Sequence, residues 1–207
     1  MFEKVRRMGQ VNLVQLQPNG LIIDTPEKTP TGNFYDASRL VQVDQLEITP
    51  LGIEATIPGG KHVLDIHHIN HPDKAYDDDD LVCIGFTSHY DAMRTHFGEH
   101  MVNGIAGENI NIEYLEEVWP DDLGQKLGIE NQDNGEMANF EMVSVAEPCV
   151  EFSQFCIQDQ YEKMPSEKMK GILKFLGNGR RGFLLVLNNL HDVITVRPDD
   201  KVFVLSD

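Results

Sequence analysis

Three cysteines, Cys83, Cys149 and Cys156, are all that this 207-residue chain contains. They cannot all pair with one another and are too few for a disulfide framework, so reduced thiols are expected. Cations are scarce too: 17 Lys and Arg stand against 34 Asp and Glu, a formal net charge of −17. Binding duplex nucleic acid takes a row of Lys and Arg to displace counterions, and no basic run occurs, so nucleic acid is not an expected partner. The same reasoning sets aside an anionic membrane surface. The acidity reads chiefly as a source of solubility. No apolar run approaches the roughly 20 residues that cross a bilayer. The opening Met1-Phe-Glu-Lys-Val-Arg-Arg leads into alternating residues, not into a signal peptide's apolar stretch. A cytoplasmic protein is expected.

What the chain does have is ordinary globular composition, 41% hydrophobic and 25% charged, at a length one domain (1–207) accommodates. Most apolar residues fall in short runs of period two separated by Gly, Pro and Asn turns. Such runs include 11–16, 21–23, 40–43, 46–48, 53–57, 183–187, 193–196 and 202–205. Many short strands with such punctuation predict a mostly β chain, a barrel or sandwich. Two segments break the rhythm. Tyr90, Met93 and Phe97 recur at helical spacing between Ser88, a candidate N-cap, and Gly98. Met169, Ile172, Leu173 and Leu176 do the same between Ser166 and Gly177. These two amphipathic helices are expected to flank or plug the barrel. The acidic run Asp77–Asp80 reads as a solvated loop.

Four constellations bear on chemistry. Gly104-Ile-Ala-Gly107-Glu108-Asn109 precedes a strand-like run, and glycines let backbone N–H groups approach an anion, although a plain turn is the commoner meaning. Pro148 fixes the backbone just before Cys149, which places that thiol at a strand end or turn, where a nucleophile or soft-metal ligand is more available. Cys83 and Cys156 sit in apolar runs and read as small buried hydrophobes. His62, His67, His68 and His71 have the type, but not clearly the setting, of zinc ligands. Arg180 and Arg181, between glycines in an acidic chain, suit either a phosphate or surface ion pairs.

Taken in order, Gly104-Ile-Ala-Gly-Glu-Asn-Ile110, Trp119-Pro-Asp-Asp-Leu-Gly124, Glu147-Pro-Cys-Val-Glu-Phe-Ser153 and Gly179-Arg-Arg-Gly-Phe183 resemble the MOSC domain. That module closes molybdenum-cofactor sulfurases and also occurs alone or in molybdenum-dependent reductases. The resemblance implies a MOSC-like β-barrel with two or more flanking α-helices. It implies that Cys149 is the family's characteristic cysteine, either a persulfide sulfur carrier or a molybdenum ligand. It also implies that Gly104, Gly107, Glu108, Asn109, Arg180 and Arg181 could bind the molybdenum cofactor (molybdopterin). The family's Gly-Asp-Arg-His stretch has no clear counterpart; Gly52-Ile-Glu-Ala-Thr and Leu64-Asp-Ile-His67-His68 stand near its place. No pyridoxal-phosphate sulfurase domain is present, so a sulfur donor such as a cysteine desulfurase is the expected partner. On the reductase reading the expected partner is a reductase acting with the protein on N-hydroxylated compounds. A module that holds a cofactor or partner without catalysis is the reading from a different class.

Overall fold

The structure, a computed structural model, describes residues 3–24, 29–74, 82–188 and 193–206. The Asp77–Asp80 run lies outside them. Strand β1 (Lys4–Leu16) is followed by β2 (Ile22–Asp24), β3 (Asn33–Tyr35), β4 (Val41–Val43), β5 (Leu46–Thr49), β6 (Gly52–Ile57), β7 (Lys61–Leu64) and β8 (Val82–Phe86). Helix α1 (Thr87–Phe97), β9 (Ile110–Glu113), α2 (Pro120–Leu123), β10 (Lys126–Glu130) and β11 (Met137–Val145) come next. The chain ends with α3 (Val150–Cys156), α4 (Ser166–Leu176), β12 (Phe183–Leu187), β13 (Ile194–Val196) and β14 (Lys201–Leu205). The strands expected from the alternating runs are present, and so are both helices.

Seven strands close into a barrel in the order β14-β10-β11-β12-β8-β9-β1, with β1 pairing back to β14 and β4 added beside the end of β1. Closure removes the unpaired sheet edges that would otherwise invite aggregation. All pairings are antiparallel except β8 with β9, whose connection runs through α1. A second, four-stranded sheet, β13-β5-β6-β7, packs its apolar face on the same core through Leu46, Ile48, Ile53 and Ile194. The mostly β barrel with flanking helices is the architecture the sequence predicts.

One row of pairings across the barrel locates everything that follows. Val14 pairs with Ile110, Ile110 with Ile84, Ile84 with Phe183, and Phe183 with Val145. Val14, Ile110, Ile84 and Phe183 are fully buried. Gln17, Gly107, Cys83, Arg181 and Cys149 each lie within four residues of a member of that row. Segments far apart in sequence therefore reach one place because the register of five strands is fixed by an apolar core.

Long strands survive barrel curvature only with a bend, and β1 bends at Gly9 (φ +103). There its register against β14 slips, and from Gln10 onward it also pairs with β9. A Cβ at Gly9 would lie 2.0 Å from the carbonyl oxygen of Glu113. Steric clash and positive φ together forbid a side chain.

The helix boundaries correct one local reading. Ser88 does not cap α1: the helix begins at Thr87, Phe86 holds the cap position without a side-chain bond, and the Ser88 hydroxyl is buried inside. Ser166 likewise is the first helical residue of α4, after Pro165, and makes no cap bond. The hydroxyl of Thr87 is bonded to the backbone of Tyr114, which ties the start of α1 to the strand after it. Its neighbour His89 is fully buried among the rings of Phe86, Trp119 and Phe183, at 5.7, 5.9 and 6.3 Å.

Two predictions follow from this architecture. Gly9→Ala should lower stability by about 2 kcal/mol or more, because strained backbone costs on the order of 1–3 kcal/mol per residue. Urea unfolding should show a lower midpoint at an unchanged slope. The second concerns acid. Burial pushes the His89 imidazole down to about 4 from an ordinary 6.5, so it is neutral in the folded protein at pH 7. An unfolded chain takes up that proton first. The stability due to this residue is therefore complete above pH 6.5 and is lost as pH falls toward 4. The loss is on the order of 3 kcal/mol. His89→Gln should flatten that part of a stability-against-pH profile; an unchanged slope would refute the assignment.

Candidate functional site

Cys149 stands at the junction between β11 and α3. Pro148 precedes it in extended backbone, and the thiol sulfur accepts the Phe152 N–H at 3.3 Å while its carbonyl receives the Ser153 N–H and hydroxyl. The sequence places this thiol at a strand end or turn, and that is where it lies. The short helix that follows it was not legible, because Val150–Cys156 carries no glycine stop and only one charge. The thiol opens onto a pocket of about 250 Å³ that is also lined by Gln17, Tyr35, His67, Gly107 and Arg181. Leu21, Ile22, Ala146 and Leu184 supply apolar wall, and Glu147 stands exposed at the edge.

The glycine loop is held from beneath by two glutamines at the end of β1. Gln15 Nε2 donates to the carbonyls of Gly104 and Glu108 at 2.6 and 2.8 Å, and Gln17 Nε2 donates to that of Gly107 at 2.6 Å. Gly107 has φ +92, and a Cβ there would meet Leu21 at 2.7 Å and Gln17 at 3.2 Å, so no other residue fits. The loop's amides are taken as well. Ala106 N–H donates to the Tyr90 hydroxyl, Gly107 N–H to the Gly104 carbonyl, and Asn109 N–H to the Cys83 carbonyl. The loop thus shapes the pocket, but those three amides are committed to the protein instead of offering an anion cradle.

Glu108 and Asn109 turn inward. The Glu108 carboxyl, 1% exposed, accepts from Tyr90 Oη at 2.7 Å and Asn111 Nδ2 at 2.9 Å. Burial pushes its pKa up, a tendency that those bonds and Arg181 oppose. Asn109 accepts the Cys83 N–H at 3.0 Å and donates to Asp65 at 3.0 Å. Gly104 supports the turn away from the pocket wall.

The paired arginines part company. Positive φ at Asn178, Gly179 and Gly182 makes a tight turn between α4 and β12. Arg180 leaves it to pair with Glu117 at 2.6 Å, stacked over Phe175 at 4.2 Å and Trp119 at 5.0 Å. Its second amino group donates to the Phe175 carbonyl. Arg180 is therefore outside the Cys149 pocket, in the surface ion pair that the sequence left open as its other meaning. Arg181 goes the other way and lines the pocket. Its one side-chain hydrogen bond is a long contact, 3.4 Å from Nη2 to the Ala106 carbonyl. Its Nε is sealed from solvent with no acceptor, and its guanidinium lies 5.8 Å over the Phe152 ring.

The sequence reading did not single out Gln17, Tyr35, Asp65 or the pocket position of Cys83. Asp65 has no solvent exposure and accepts from the Gln17 N–H at 2.7 Å, the His67 N–H at 3.1 Å and Asn109 Nδ2 at 3.0 Å. His67 Nδ1 lies 2.7 Å from Asp65 Oδ1, the oxygen that also accepts the His67 N–H. The Asp65-Ile-His67 spacing is the signal the sequence offers for this pair. The histidines of that stretch have separate partners: His62 pairs with Glu54, His71 meets the Pro18 carbonyl, and His68 is buried. Among the described residues no group of His, Cys, Asp and Glu is gathered to hold a metal ion. Cys83 sits in a strand as expected but is half-buried and faces the pocket. Cys156 is fully buried.

Burial pushes the Cys149 thiol up, against the Phe152 N–H and Arg181, which draw it down. Burial pushes Cys156 up much further. The reactivity of Cys149 therefore rests on access and a nearby cation, not on a depressed resting pKa. Limiting iodoacetamide on the folded, reduced protein should label Cys149 and leave Cys156 unlabelled until denaturant is added. The Cys149 rate should keep climbing with pH through the neutral range without a plateau. Equal labelling of Cys149 and Cys156, resolved by mass, would contradict this arrangement.

No protein-family model matches the chain, and no curated protein matches it significantly. Solved structures do. The YuaD protein of Bacillus subtilis superposes over 100% of both chains with a TM-score of 0.57 at 12% identity. YiiM of Escherichia coli matches 81% of this chain and 65% of its own with a TM-score of 0.50 at 17% identity. At such identities the likeness is one of fold: this chain shares its β-barrel architecture with those two proteins.

Proposed function

We propose that this chain is a MOSC-like sulfur carrier in which Cys149 takes up one sulfur atom as a persulfide and passes it to an acceptor. The observation that carries the reading is the meeting, in one small pocket, of the accessible Cys149 thiol with the Arg181 guanidinium, which forms no ion pair among the described residues. A persulfide is more acidic than its parent thiol and is largely an anion near neutrality, so it suits a buried cation better than the resting thiol does. The shared barrel and the order of the sequence motifs support the same family.

The molybdenum cofactor fits this lining poorly. A volume of about 250 Å³ falls below the roughly 300–1,000 Å³ of ordinary small-molecule sites. Three amides of the glycine loop already bond to the protein, and Arg180 pairs with Glu117. Of the side chains expected to hold a group that carries a metal, a pterin and a phosphate, only Cys149 and Arg181 line the pocket. The sulfur-carrier chemistry needs only those two.

Protein made in a host competent for cofactor synthesis should contain far less than one molybdenum or pterin per chain. Incubated with a cysteine desulfurase and cysteine, it should gain the mass of one sulfur on the Cys149 peptide, and Cys149→Ser should gain none. Stoichiometric molybdenum and pterin, lost in Cys149→Ser, would replace this reading with the reductase. A chain that holds neither sulfur nor metal would be a non-catalytic binding module.

A further inference from the structure

We infer that the Cys149 pocket binds a small sulfane-sulfur oxyanion of the thiosulfate class on Arg181 and takes its sulfur directly, giving the protein a thiosulfate sulfurtransferase half-reaction. This rests on the carrier reading and adds to it the chemical class of the donor: a small molecule instead of a protein.

The geometry points to an anion because a guanidinium in a walled pocket ordinarily finds carboxylates, and Arg181 does not. In a chain with 34 Asp and Glu it forms no ion pair among the described residues, and its buried Nε has no acceptor. A largely buried guanidinium without a counter-charge is costly, and an anion bound in the pocket would supply one. Arg180, one residue earlier, has a partnerless buried Nε as well, yet it forms an ion pair with Glu117 and donates to the Phe175 carbonyl, so what sets Arg181 apart is the lack of a carboxylate. The carboxyl groups nearest the site do not neutralise Arg181. Glu108 is engaged by Tyr90 and Asn111, Glu147 is exposed at the edge, and Glu151 lies beside the thiol on α3.

Size and chemistry narrow the anion. The pocket, about 250 Å³, admits a compact tetrahedral group. A planar guanidinium offers paired N–H donors that suit oxyanion edges. With the sulfonate end on Arg181, the sulfane sulfur is left among the Cys149 thiol, Leu21, Ala146 and Leu184, where a soft, weakly hydrated atom is well accommodated. The Cys149 thiolate attacks the sulfane sulfur. A new S–S bond forms on Cys149, the sulfur–sulfur bond of thiosulfate breaks, and sulfite leaves with its electron pair. The proton given up by the thiol ends on the persulfide or in solvent. Thiosulfate and thiol become persulfide and sulfite, so no other oxidant or reductant is required.

The test uses the reduced full-length chain with thiosulfate and follows sulfite release together with the mass of the Cys149 peptide. One sulfite per chain and one added sulfur on Cys149 are expected. Arg181→Gln should slow loading roughly tenfold or more, the worth of a charged hydrogen bond, and Arg181→Lys should recover part of it. Arg180→Gln should load at the wild-type rate despite its lost ion pair. Should Arg181→Gln fail to fold, the wild type still decides: sulfite or sulfate must slow both loading and iodoacetamide labelling of Cys149 in a saturable way. Loading from a cysteine desulfurase but not from thiosulfate would overturn this inference and leave the carrier reading standing. Loading from neither source would remove both. Thiosulfate loading indifferent to Arg181 and to competing anions would remove the anion site.

Discussion

The carboxyl group of Asp65 holds the site together. It is fully buried, and its two oxygens meet the backbone at the end of β1, the side chain of Asn109 at the end of the glycine loop, and both the backbone and ring of His67. A carboxyl group removed from water is tolerated only when its lone pairs are occupied, and here four donors occupy them. Each donor comes from a segment that also reaches the pocket. Asn109 in turn receives the Cys83 N–H and so fixes β8 to the loop. A chain of bonds thus runs from the segment after β7, through Asp65, into the barrel wall opposite Cys149. Such a network is worth keeping whole, because a partly satisfied one costs more than an apolar replacement.

Charge is distributed so that acidity and the site do not conflict. Most of the 34 acids are solvated, which leaves the net charge of −17 outside. Screening over about 10 Å in ordinary salt weakens their influence on a walled cavity. Within the pocket Arg181 forms no ion pair among the described residues, and burial pushes the pKa of the buried Glu108 carboxyl up against the pull of Tyr90, Asn111 and Arg181. The net charge of a chain therefore says little about one pocket in it. It does predict that an anionic ligand approaches against a long-range field, which favours small anions over large, multiply charged ones.

What the sequence revealed and what it withheld divide along a physical line. Period-two runs ending in glycine or proline were visible because strand alternation and turn chemistry are local, and most of the strands and both longer helices were read from them. Cys149 was visible for the same reason, since proline before a thiol is a local constraint. The parting of Arg180 from Arg181 was not. It depends on positive φ at Asn178, Gly179 and Gly182 and on the presence of Glu117, Trp119 and Phe175 from elsewhere in the fold. The same holds for Asp65, whose partners lie 48 and 44 positions away. The glycine loop was read as a source of free amides; the glutamines and tyrosine that bind it are set by the register of β1 with β9 and by α1. Ser88 failed as a cap because Thr87 was engaged by the backbone of Tyr114 and the helix began one residue sooner.

The register row Val14-Ile110-Ile84-Phe183-Val145 supplies the last link between fold and chemistry. Slipping any one of these strands by a single residue would turn its core face outward, so the apolar row fixes register strongly. Gln17, Gly107, Cys83, Arg181 and Cys149 are mounted within four positions of it, most of them outside regular strand. Precision comes from the row and adaptability from the turns. Cys149 adds a second constraint, since Tyr35 packs on Phe152 and Phe155 at 5.1 and 5.2 Å and donates to the Ile105 carbonyl at 2.8 Å. One tyrosine thereby clamps the short hairpin of β2 and β3 onto both α3 and the glycine loop, closing the side of the pocket above the thiol. A cavity with a rigid floor and a wall pinned by one aromatic side chain can hold a small reactive sulfur species away from bulk water. Sequestration of that kind is what the proposed carrier of labile sulfur would require, and here it follows from packing.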